Sequence, residues 1–412
     1  MTALRLGVVA DDVTGACDLA GVVTAAGLPA SVLLGPPSPS DVPADGAACV
    51  VVALRSRTAP VADAVAESVA AGRWLLAHGA RRLYQKYCST FDSTPAGNIG
   101  PVADALAALV GGRSVGTPAT PAVGRTVYQG HLFVDGRLLS ESPLRDHPLT
   151  PMTDADLVRL LGAQTPRSVG LVRWPAAGVP AGERAEHVLL DALTDHDLDR
   201  HAAALADGDD LLGGASGLAA ALARHWAAAE LPAQPPAELP ALPPGGGRVV
   251  LAGSCSRRTR EQIDAFPGPT VRIAVDDLAA DSARAVAAAV DAALAAIPAG
   301  PVLVTTSLPP DELRAVQQRH GRDHAAALAE NALGAVARAV ADAGVRRFLV
   351  AGGETSGAVT QALGVRQVRI GAQVAPGVPW TVSVGDRPLA LLLKSGNFGP
   401  PDLFTTAWEV GP

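Results

Sequence analysis

The amino-acid sequence predicts an α/β protein made of two domains with largely parallel sheets. Short apolar runs alternate with amphipathic stretches along most of the 412 residues, as expected when buried strands alternate with the helices that cover them. The length suits roughly two or three domains of about 150 residues each. A segment with six prolines and three consecutive glycines interrupts the alternation, and neither a helix nor a central strand tolerates that proline density. We therefore predict an N-terminal domain over residues 1–230, a linker over 231–247 and a C-terminal domain over 248–412.

The first strand of the N-terminal domain is predicted at Leu6 to Ala10. Thr14 follows this strand and can cap a helix, because hydroxyl side chains accept hydrogen bonds from the free N–H groups of a first helical turn. The segment Leu132 to Leu139 is predicted to form a hairpin, since Asp135-Gly136 stands between two apolar runs. Further buried strands are predicted at Cys49 to Ala53, Leu83 to Lys86, Ser168 to Val172 and His187 to Leu190.

In the C-terminal domain the alternation resumes at Arg248. The predicted strands are Val249 to Ala252, Pro301 to Thr305, Arg346 to Ala351, Val382 to Val384 and Leu389 to Leu393. The predicted helices lie near Thr259 to Phe266, at Asp323 to Ala343 and at Ser356 to Leu363. The repeated order of strand and helix indicates a second α/β sheet that is mostly parallel.

Composition and charge exclude several classes of protein. A formal charge of −7 without a basic run argues against nucleic acid as a partner. The apolar run Leu4 to Ala10 is too short for a signal peptide, and Asp291 breaks the Ala-rich segment Ala285 to Ile297 below the roughly 18 apolar residues of a membrane span. We expect a cytoplasmic protein without membrane contact. The four cysteines are scattered and predict neither a disulfide nor a zinc site.

Two glycine-rich segments of the C-terminal domain, Gly352–Gly357 and Lys394–Gly399, directly follow apolar runs. At the first segment a strand runs into paired glycines and a helix, so free backbone N–H groups and the positive end of a helix meet at one turn. This turn predicts a site for an anion such as a nucleotide phosphate, and a helix-entry turn without a ligand is the alternative. The Walker spacing and the G-x-G-x-x-G motif are both missing.

Polar residues of the N-terminal domain follow the predicted strands, where parallel sheets place their ligands. Each residue alone has an ordinary explanation, as a helix cap, a turn residue, a solvated cation or a packing histidine. Together the acids, cations and hydroxyls predict a site for one small polar ligand, in which a guanidinium could clamp a carboxylate. The residues are Asp11, Asp12, Arg55, Ser56, Lys86, Asp92, Ser93, Asn98, Arg125 and His147.

Motifs from residue 6 to about residue 404 resemble those of the four-carbon acid sugar kinase family, in the same order along the chain. The resemblance therefore spans almost the whole sequence. The segments that carry it are Leu6–Ala16, Lys86–Gly100, Ser142–Pro148, Gly253–Gln262, Gly352–Thr355 and Lys394–Gly399.

The resemblance implies that the N-terminal domain binds a sugar acid, that the C-terminal domain binds ATP, and that both ligands lie in the cleft between the domains. Members of this family phosphorylate the C4 hydroxyl of threonate, erythronate or 3-oxo-tetronate. ATP and Mg²⁺ are thus the implied cofactors, a small sugar acid is the implied substrate, and a homodimer is one assembly left open. The implied contacts to ATP are Ser254, Ser256, Gly352, Gly353, Glu354, Thr355, Gly396 and Asn397.

Phosphoryl transfer needs in-line positioning, neutralised phosphate charge and a carboxylate that accepts the proton of the attacking hydroxyl. Asp12 is the first candidate for this base, Asp11 and Asp92 are the alternatives, and Lys86 is a further catalytic candidate. Magnesium that bridges phosphates keeps several waters, so no dedicated protein metal site is predicted. Glu354 is a candidate for direct or water-mediated contact with the ion.

Two other functions stay open from the sequence. One is a protein of the same fold that binds a sugar acid and ATP without transfer, and the intact acids, lysine and glycine turns weigh against it. The other is a nicotinamide-dependent oxidoreductase, since many dehydrogenases share an α/β architecture with glycine-rich turns. The missing G-x-G-x-x-G near the first strand argues against this second alternative.

Overall fold

The computed structural model of the chain describes residues 4–146, 150–230, 239, 242 and 246–411. The chain divides into two compact units, Met1–Ala237 and Glu238–Pro412. Most of the predicted linker, residues 231–247, lies outside the described residues.

The N-terminal unit contains one parallel sheet with helices in its connections. Its strands are β1 Leu6–Ala10, β2 Ala30–Leu34, β3 Cys49–Ala53, β4 Arg82–Lys86, β5 Ser114–Thr117, β6 Arg125–Tyr128, β7 His131–Val134, β8 Arg137–Leu138, β9 Val169–Val172, β10 His187–Leu190 and β11 Leu211–Gly214. Its helices are α1 Val13–Ala25, α2 Val61–Ala77, α3 Ile99–Val110, α4 Leu157–Gly162, α5 Asp195–Leu205 and α6 Ser216–Glu230. Within this unit the strand order is β2-β3-β1-β4-β11-β5-β10-β9, with every neighbouring pair parallel.

The centre of this sheet is buried on both faces, which explains its sequence. All five residues of β1 and all five of β3 are buried, so their side chains are apolar on both sides instead of alternating. The apolar faces of α2 and α3 pack against the sheet through residues such as Leu75 and Leu106, both fully buried. The predicted strands in this region are confirmed.

Helix α1 begins differently from the prediction. Asp12, and not Thr14, is its N-cap residue, because the Asp12 carboxylate accepts a hydrogen bond from the Gly15 N–H at 3.0 Å. Thr14 lies inside the first turn and donates its hydroxyl to the same carboxylate at 2.7 Å. Asp and Thr are both good caps, so residue type alone did not decide between them.

The predicted hairpin is confirmed as part of a small antiparallel sheet of β6, β7 and β8. Asp135 and Gly136 form its tight turn with φ angles of 50° and 78°. Both residues lie in the left-handed region, as the primed hairpin turns require. The Asp-Gly pair supplies two residue types that adopt this conformation at low cost.

The C-terminal unit has a second α/β sheet. Its strands are β12 Arg248–Ala252, β13 Thr270–Arg272, β14 Val302–Thr305, β15 Arg347–Ala351, β16 Gln367–Ala375, β17 Val378–Ser383 and β18 Ala390–Lys394. Its helices are α7 Arg257–Asp264, α8 Val275–Ala296, α9 Pro310–His320, α10 Arg322–Asp342, α11 Gly353–Ala362 and α12 Leu403–Val410. Within this unit the order is β13-β14-β12-β15-β18-β17-β16; the first five strands are parallel, and β17 is antiparallel to both neighbours.

Two helices of this unit begin earlier than predicted. Helix α11 begins at Gly353 instead of Ser356, because Gly352 adopts a φ of 128° and takes the N-cap position itself. Helix α7 begins at Arg257 instead of Thr259, because the Ser256 hydroxyl accepts a hydrogen bond from the Thr259 N–H. In both cases the turn between strand and helix is shorter than the sequence suggested.

One helix among the described residues meets the length and composition of a membrane span. It is α8 with the short turn that follows, Val275–Ala299, with a mean hydropathy of 1.4. This helix connects β13 and β14, which pair in parallel, and it packs against α10. A single such helix is weak evidence for a span, and the crossover of a parallel sheet accounts for its position.

Leu349 in the middle of β15 tests the core of the C-terminal unit. Its side chain is fully buried among other apolar residues, so Leu349→Ala should lower the free energy of unfolding by about 2–5 kcal/mol. Urea unfolding followed by tryptophan fluorescence measures the change, since Trp380 is buried in the same cluster. Val384→Ala is the control, because Val384 is 42% exposed and should change the free energy by less than about 0.5 kcal/mol. Equal losses in the two variants would contradict this core.

Candidate active site

The parallel register of the N-terminal unit brings several strand ends to one edge of the sheet. Ala10 at the end of β1 pairs with Ala53 of β3 and with Lys86 of β4, and Lys86 pairs with Gly214 of β11. The loops that follow these strands therefore start side by side, which is where parallel sheets bind ligands.

A pocket of about 350 Å³, counting its open mouth, lies at this edge. Six of the residues predicted from the sequence line it, so the structure brings them together. They are Asp11, Ser56, Lys86, Asp92, Ser93 and Asn98. The apolar and neutral remainder of its wall includes Val9, Gln85, Tyr87 and Ile99.

The guanidinium of Arg57 joins the two aspartates that follow β1. Its Nε and Nη2 donate to the two oxygens of Asp11, both at 2.8 Å, and Nη2 also donates to Asp12 Oδ1 at 2.9 Å. The three side chains are only 17–22% exposed. Burial alone would lower the pKa of Arg57, but the charges of Asp11 and Asp12 raise it well above its ordinary value, so this guanidinium stays ionised.

Arg57, which the sequence analysis did not name, thus pairs with both aspartates, and the predicted contact of Arg55 with a substrate carboxylate stays a prediction. Arg55 is exposed, while the backbone N–H groups of Ser56 and Arg57 both donate to the Asp11 carbonyl. The Asn98 side chain holds this loop, because its Nδ2 donates to the Ser56 carbonyl at 2.7 Å and to the Ala59 carbonyl at 2.9 Å. Arg55-Ser56-Arg57 offers two arginines in one loop, and sequence alone did not distinguish them.

The Asp12 carboxylate accepts hydrogen bonds from three different residues. Besides Arg57, it accepts hydrogen bonds from the Gly15 N–H and the Thr14 hydroxyl. Burial would raise the pKa of Asp12, but the charges of Arg57 and Lys86 together with these hydrogen bonds lower it below its ordinary value. The carboxylate is therefore a weak proton acceptor near neutral pH.

Lys86 lies at the carboxyl end of β4 and is only 3% exposed. Its Nζ donates to the Tyr87 carbonyl at 2.9 Å and lies against α1. A Cβ added at Gly15 would come within 2.9 Å of this Nζ and still closer to Asp12 Oδ1, so only glycine fits there.

Asp18, one turn further along α1, is a charged neighbour that the sequence analysis missed. Burial raises the pKa of Asp18, the charge of Lys86 and a hydrogen bond with Ser216 oppose the rise, and the charge of Asp12 adds to it. Its spacing of three residues from Gly15 on a helix is the signal that could have placed it on the same face.

The loop after β4 supplies the remaining polar groups of the pocket. Asp92 accepts hydrogen bonds from the Thr90 hydroxyl at 2.6 Å and from the Cys88 thiol at 3.3 Å. The Ser93 hydroxyl accepts a hydrogen bond from Gln164 Nε2 at 2.7 Å. The Oδ1 atom of Asn98 is buried and has no hydrogen-bond partner among the described residues, so it can accept a hydrogen bond from a ligand hydroxyl.

Four of the ten predicted residues are not among the described residues that line this pocket. Asp12 adjoins it through Arg57 and Arg55 is exposed; the other two are Arg125 and His147. Arg125 lies on β6 in the small antiparallel sheet, where it donates to the Val123 carbonyl and faces Asp135. Arg125 pairs with Thr120 and Val127 pairs with Ala192, which follow β5 and β10, so β6 lies beside the ends of these strands, and a substrate contact of Arg125 stays a prediction. His147 lies outside the described residues.

In the C-terminal unit the strand ends align in the same way. Ala252 at the end of β12 pairs with Thr305 of β14 and with Ala351 of β15, and Ala351 pairs with Lys394 of β18. The predicted glycine turns and the Ser254–Ser256 segment therefore begin at one edge of this sheet.

The first glycine turn is tightly built. The Gly352 N–H donates to the Lys394 carbonyl at 2.9 Å, and its φ of 128° favours glycine. A Cβ at this position would lie 2.8 Å from Thr355 Oγ1 and 3.3 Å from the Ser254 N atom. No side chain caps α11 at its first turn, which leaves backbone donors of this helix start for an anion.

The second glycine turn packs against the serines that follow β12. The Gly396 carbonyl accepts hydrogen bonds from Ser256 Oγ at 2.7 Å and from Thr259 Oγ1 at 2.8 Å. A Cβ at Gly396 would lie 2.5 Å from Ser254 Oγ and 2.9 Å from Ser256 Oγ. The close approach of the two segments thus requires glycine.

The loop after β14 is a third part of this site, which the sequence analysis missed. Ser307 Oγ donates to the Ser254 carbonyl at 2.8 Å. Thr306 Oγ1 is buried without a partner among the described residues. The signal was present, because Thr305-Thr306-Ser307 ends a predicted strand in the same way as the other polar loops.

These features suit a nucleotide phosphate. Glycines that exclude a Cβ, an uncapped helix start and an unpaired buried hydroxyl are the groups that bind a phosphate through backbone and hydroxyl donors. Within the described ranges, no group of three or more His, Cys, Asp or Glu side chains could hold a metal ion. A pocket for a polar acid in one unit and a phosphate turn in the other define a nucleotide-dependent enzyme of small polar substrates.

Comparisons with known proteins identify the family. A family model described as a sugar-binding N-terminal domain matches residues 6–222, and a model described as a nucleotide-binding C-terminal domain matches residues 249–404. Together they cover most of the chain. The chain belongs to the four-carbon acid sugar kinase family.

Several relatives match over nearly the full length. A 3-oxo-tetronate kinase of Pseudomonas fluorescens is 48% identical, and one of Burkholderia multivorans is 47% identical; each alignment covers 98% of this chain and 96% of the relative. A crystal structure of a Salmonella typhimurium LT2 protein has 38% identity and a TM-score of 0.84, covering 98% of this chain and 99% of the other. A Haemophilus influenzae protein has 36% identity and a TM-score of 0.75 at the same coverage.

Gly15 tests the packing of the acid pocket. In Gly15→Ala the added methyl would overlap Asp12 Oδ1 and Lys86 Nζ, so the free energy of unfolding should fall by about 1–3 kcal/mol. Chemical denaturation of the full chain measures the change. Gly182→Ala is the matched control, because a Cβ at Gly182 meets no atom within 4 Å. A Gly15→Ala protein as stable as this control would show that the Asp12 and Lys86 side chains shift at little cost and are not packed tightly against α1.

Proposed function

We propose that the protein is an ATP-dependent kinase that phosphorylates the C4 hydroxyl of a four-carbon sugar acid. The observation that carries the proposal is the polar pocket of the N-terminal unit, which combines a buried ammonium, ionised carboxylates and an unpaired amide oxygen. A sugar acid presents one carboxylate and several hydroxyls, and these groups match that set. Because the relatives described above are named 3-oxo-tetronate kinases, 3-oxo-tetronate is the first substrate to test, followed by threonate and erythronate.

Lys86 is the cation that we assign to the substrate carboxylate. Arg57 already pairs with Asp11 and Asp12. Among the described residues, Lys86 Nζ donates one hydrogen bond, to a backbone carbonyl, of the three that an ammonium can donate. Asn98 Oδ1 and the Ser93 hydroxyl would then hold substrate hydroxyls, and Ser56 lines the same wall.

The proposal gives residues 248–412 the role of the ATP-binding domain and residues 1–230 that of the acid-binding domain. Backbone donors at Gly353 and Thr355 would hold phosphate oxygens, since no side chain caps this helix start, and Gly352 would line the turn beside them with its own N–H paired to the Lys394 carbonyl. Ser254, Ser256, Gly396 and Asn397 would complete the binding surface on the neighbouring loops, and Thr306 Oγ1 joins them because it is buried without a partner among the described residues.

Magnesium supplies charge neutralisation to the phosphates of ATP and keeps most of its waters. Glu354 in the first turn of α11 is the carboxylate that we propose beside it. The proposal also places the enzyme in the cytoplasm, as expected for a kinase of small metabolites.

Asp92 is the carboxylate that we propose as the proton acceptor, in place of Asp12. Asp11 and Asp12 are both ion-paired with Arg57, and ion pairing makes a carboxylate a poorer base. Asp92 lines the pocket and receives its hydrogen bonds from a neutral hydroxyl and a neutral thiol. It can therefore take the proton of the C4 hydroxyl as the phosphoryl group transfers.

ATP consumption tests the proposed activity. A coupled ADP assay with magnesium is run against 3-oxo-tetronates, threonates and erythronates of both configurations, with longer aldonates as the control for chain length. We expect turnover with a four-carbon acid and much less with longer acids, because the pocket is small. A protein that binds ATP but consumes it with no acid of the panel would support a binding function without transfer.

Paired substitutions test the assigned base. Asp92→Asn should lower kcat by about 10²–10⁴-fold, the usual contribution of a general base, with little change in KM for the acid. Asp12→Asn keeps a helix-capping side chain and should act mainly on the KM for the acid, through Arg57. Steady-state kinetics on both variants show which aspartate accepts the proton. A larger loss of kcat in Asp12→Asn than in Asp92→Asn would indicate Asp12 as the base.

A further inference from the structure

Lys394 is a buried lysine that the proposed mechanism does not use. It is the last residue of β18 and is fully buried. Its Nζ donates to Gln262 Oε1 at 2.8 Å, to the Gly396 carbonyl at 3.0 Å and to Thr259 Oγ1 at 3.1 Å. The three acceptors match the three N–H groups of an ammonium.

No carboxylate of the described residues forms an ion pair with this ammonium. Burial, together with the charge of Arg258, lowers the pKa of Lys394 to about 7. A buried charge without an opposite charge costs free energy, so an apolar residue would suit stability at this position at least as well. Stability of the fold therefore does not explain why a lysine is present at this position.

The hydrogen bonds of Lys394 determine how the second glycine turn is oriented. The Gly396 carbonyl accepts hydrogen bonds from Lys394 Nζ, Ser256 Oγ and Thr259 Oγ1. A trans peptide unit is planar, with its C=O and N–H pointing in opposite directions. A Gly396 carbonyl held toward the core thus directs the N–H of Asn397 away from it, and Asn397 is exposed.

The same ammonium connects this turn to α7. Thr259 and Gln262 are on α7, and Gln262 Nε2 also donates to the carbonyls of Phe398 at 3.1 Å and Pro400 at 2.8 Å. Lys394, Gln262 and Thr259 thus hold the segment 396–400 against the helix that begins at Ser256. Both segments carry residues assigned above to ATP.

We propose that Lys394 is a positioning residue for ATP binding, which orients the Gly396–Asn397 peptide so that its N–H faces the phosphates. This inference rests on the proposed function, because it presumes that the two loops bind ATP. The substrate acid is bound by other residues, so the role of Lys394 concerns the nucleotide alone.

The test is Lys394→Met, which replaces the ammonium by an apolar group of similar length. In calorimetric titration of the full chain with ATP and excess magnesium, we expect the dissociation constant to rise about tenfold, as for one or two lost hydrogen bonds. In the assay with the acid, KM for ATP should rise while KM for the acid stays within about twofold. An ATP affinity within twofold of the wild type would overturn the inference.

Two further variants separate positioning from folding. Thr259→Val keeps the shape of a fully buried residue but removes one donor to the Gly396 carbonyl, so ATP affinity should fall by about threefold even if Lys394→Met does not fold. Thr381→Val is the matched control. Thr381 is also fully buried, it lies on β17 next to the strand that carries Lys394, and it donates to the Leu391 carbonyl at 2.7 Å, away from both loops. It should lower stability without changing ATP affinity, and an equal loss of affinity in Thr259→Val and Thr381→Val would contradict the proposal.

The pH dependence of ATP affinity distinguishes a positioning role from a purely structural one, because a purely structural role would leave this dependence unchanged. The neutral amine of Lys394 has two N–H groups for three acceptors, so ATP affinity of the wild type should fall as pH rises through about 7, relative to Lys394→Met. Arg258 on α7 is the charged neighbour, and α12 presents only the ring of Phe404, at 5.9 Å. The contribution to stability has the opposite sign: the unfolded chain binds more protons between about 7 and 10.5, so stability rises with pH there.

These measurements distinguish the inference from the proposed function. A wild type that binds ATP but transfers phosphate to no acid would overturn the kinase proposal, and the effect of Lys394→Met on ATP affinity would still decide the role of Lys394. A wild type with full kinase activity and parallel pH profiles in wild type and Lys394→Met would overturn only the inference.

Discussion

The parallel register of each sheet is the constraint on which both sites depend. Strands buried on both faces carry mostly apolar side chains along their length, and the polar groups of both proposed sites collect where the strands end. Ala10 pairs with Lys86 in one unit, and Ala351 pairs with Lys394 in the other, so the loops of each unit begin in a row. The geometry of each sheet therefore determines where the proposed site of that unit lies, whatever residues its loops carry.

A lysine ends a central strand in both units, but the two lysines have different electrostatic surroundings. Asp12 and Asp18 are the carboxyl groups near Lys86, and the pocket beside it is lined by polar residues. Lys394 has only neutral oxygens around it, and Arg258 adds positive charge. A lysine beside an open polar pocket can donate to a bound anion, whereas a lysine whose donors are all used by neutral acceptors is better suited to fix a loop. The same position at a strand end thus supports a binding role in one unit and a positioning role in the other.

The sequence was informative about strands and less so about turns. β1 and β3 were predictable because each is an uninterrupted apolar run of five residues that contains two or three valines, as is typical of a buried strand. The starts of α1 and α11 were not, because several residues near each turn are acceptable caps and the backbone decides among them. Arg57 was missed in favour of Arg55 for a related reason: the direction of a loop side chain depends on contacts such as those of Asn98 with the loop, which lie 42 and 39 residues apart in sequence.

The proposed phosphate site shows why a search for one contiguous motif fails on this chain. A Walker loop supplies its backbone donors from a single segment, but here the segments after β12, β14, β15 and β18 each contribute a few groups. Each segment alone resembles an ordinary turn. Their common function becomes visible only through contacts such as Ser254 against Gly352 and Gly396, where a Cβ would prevent the approach. The glycines are thus required by the approach of the neighbouring segment and not by the local turn alone. For this reason the four segments are recognisable together, although each is a weak motif by itself.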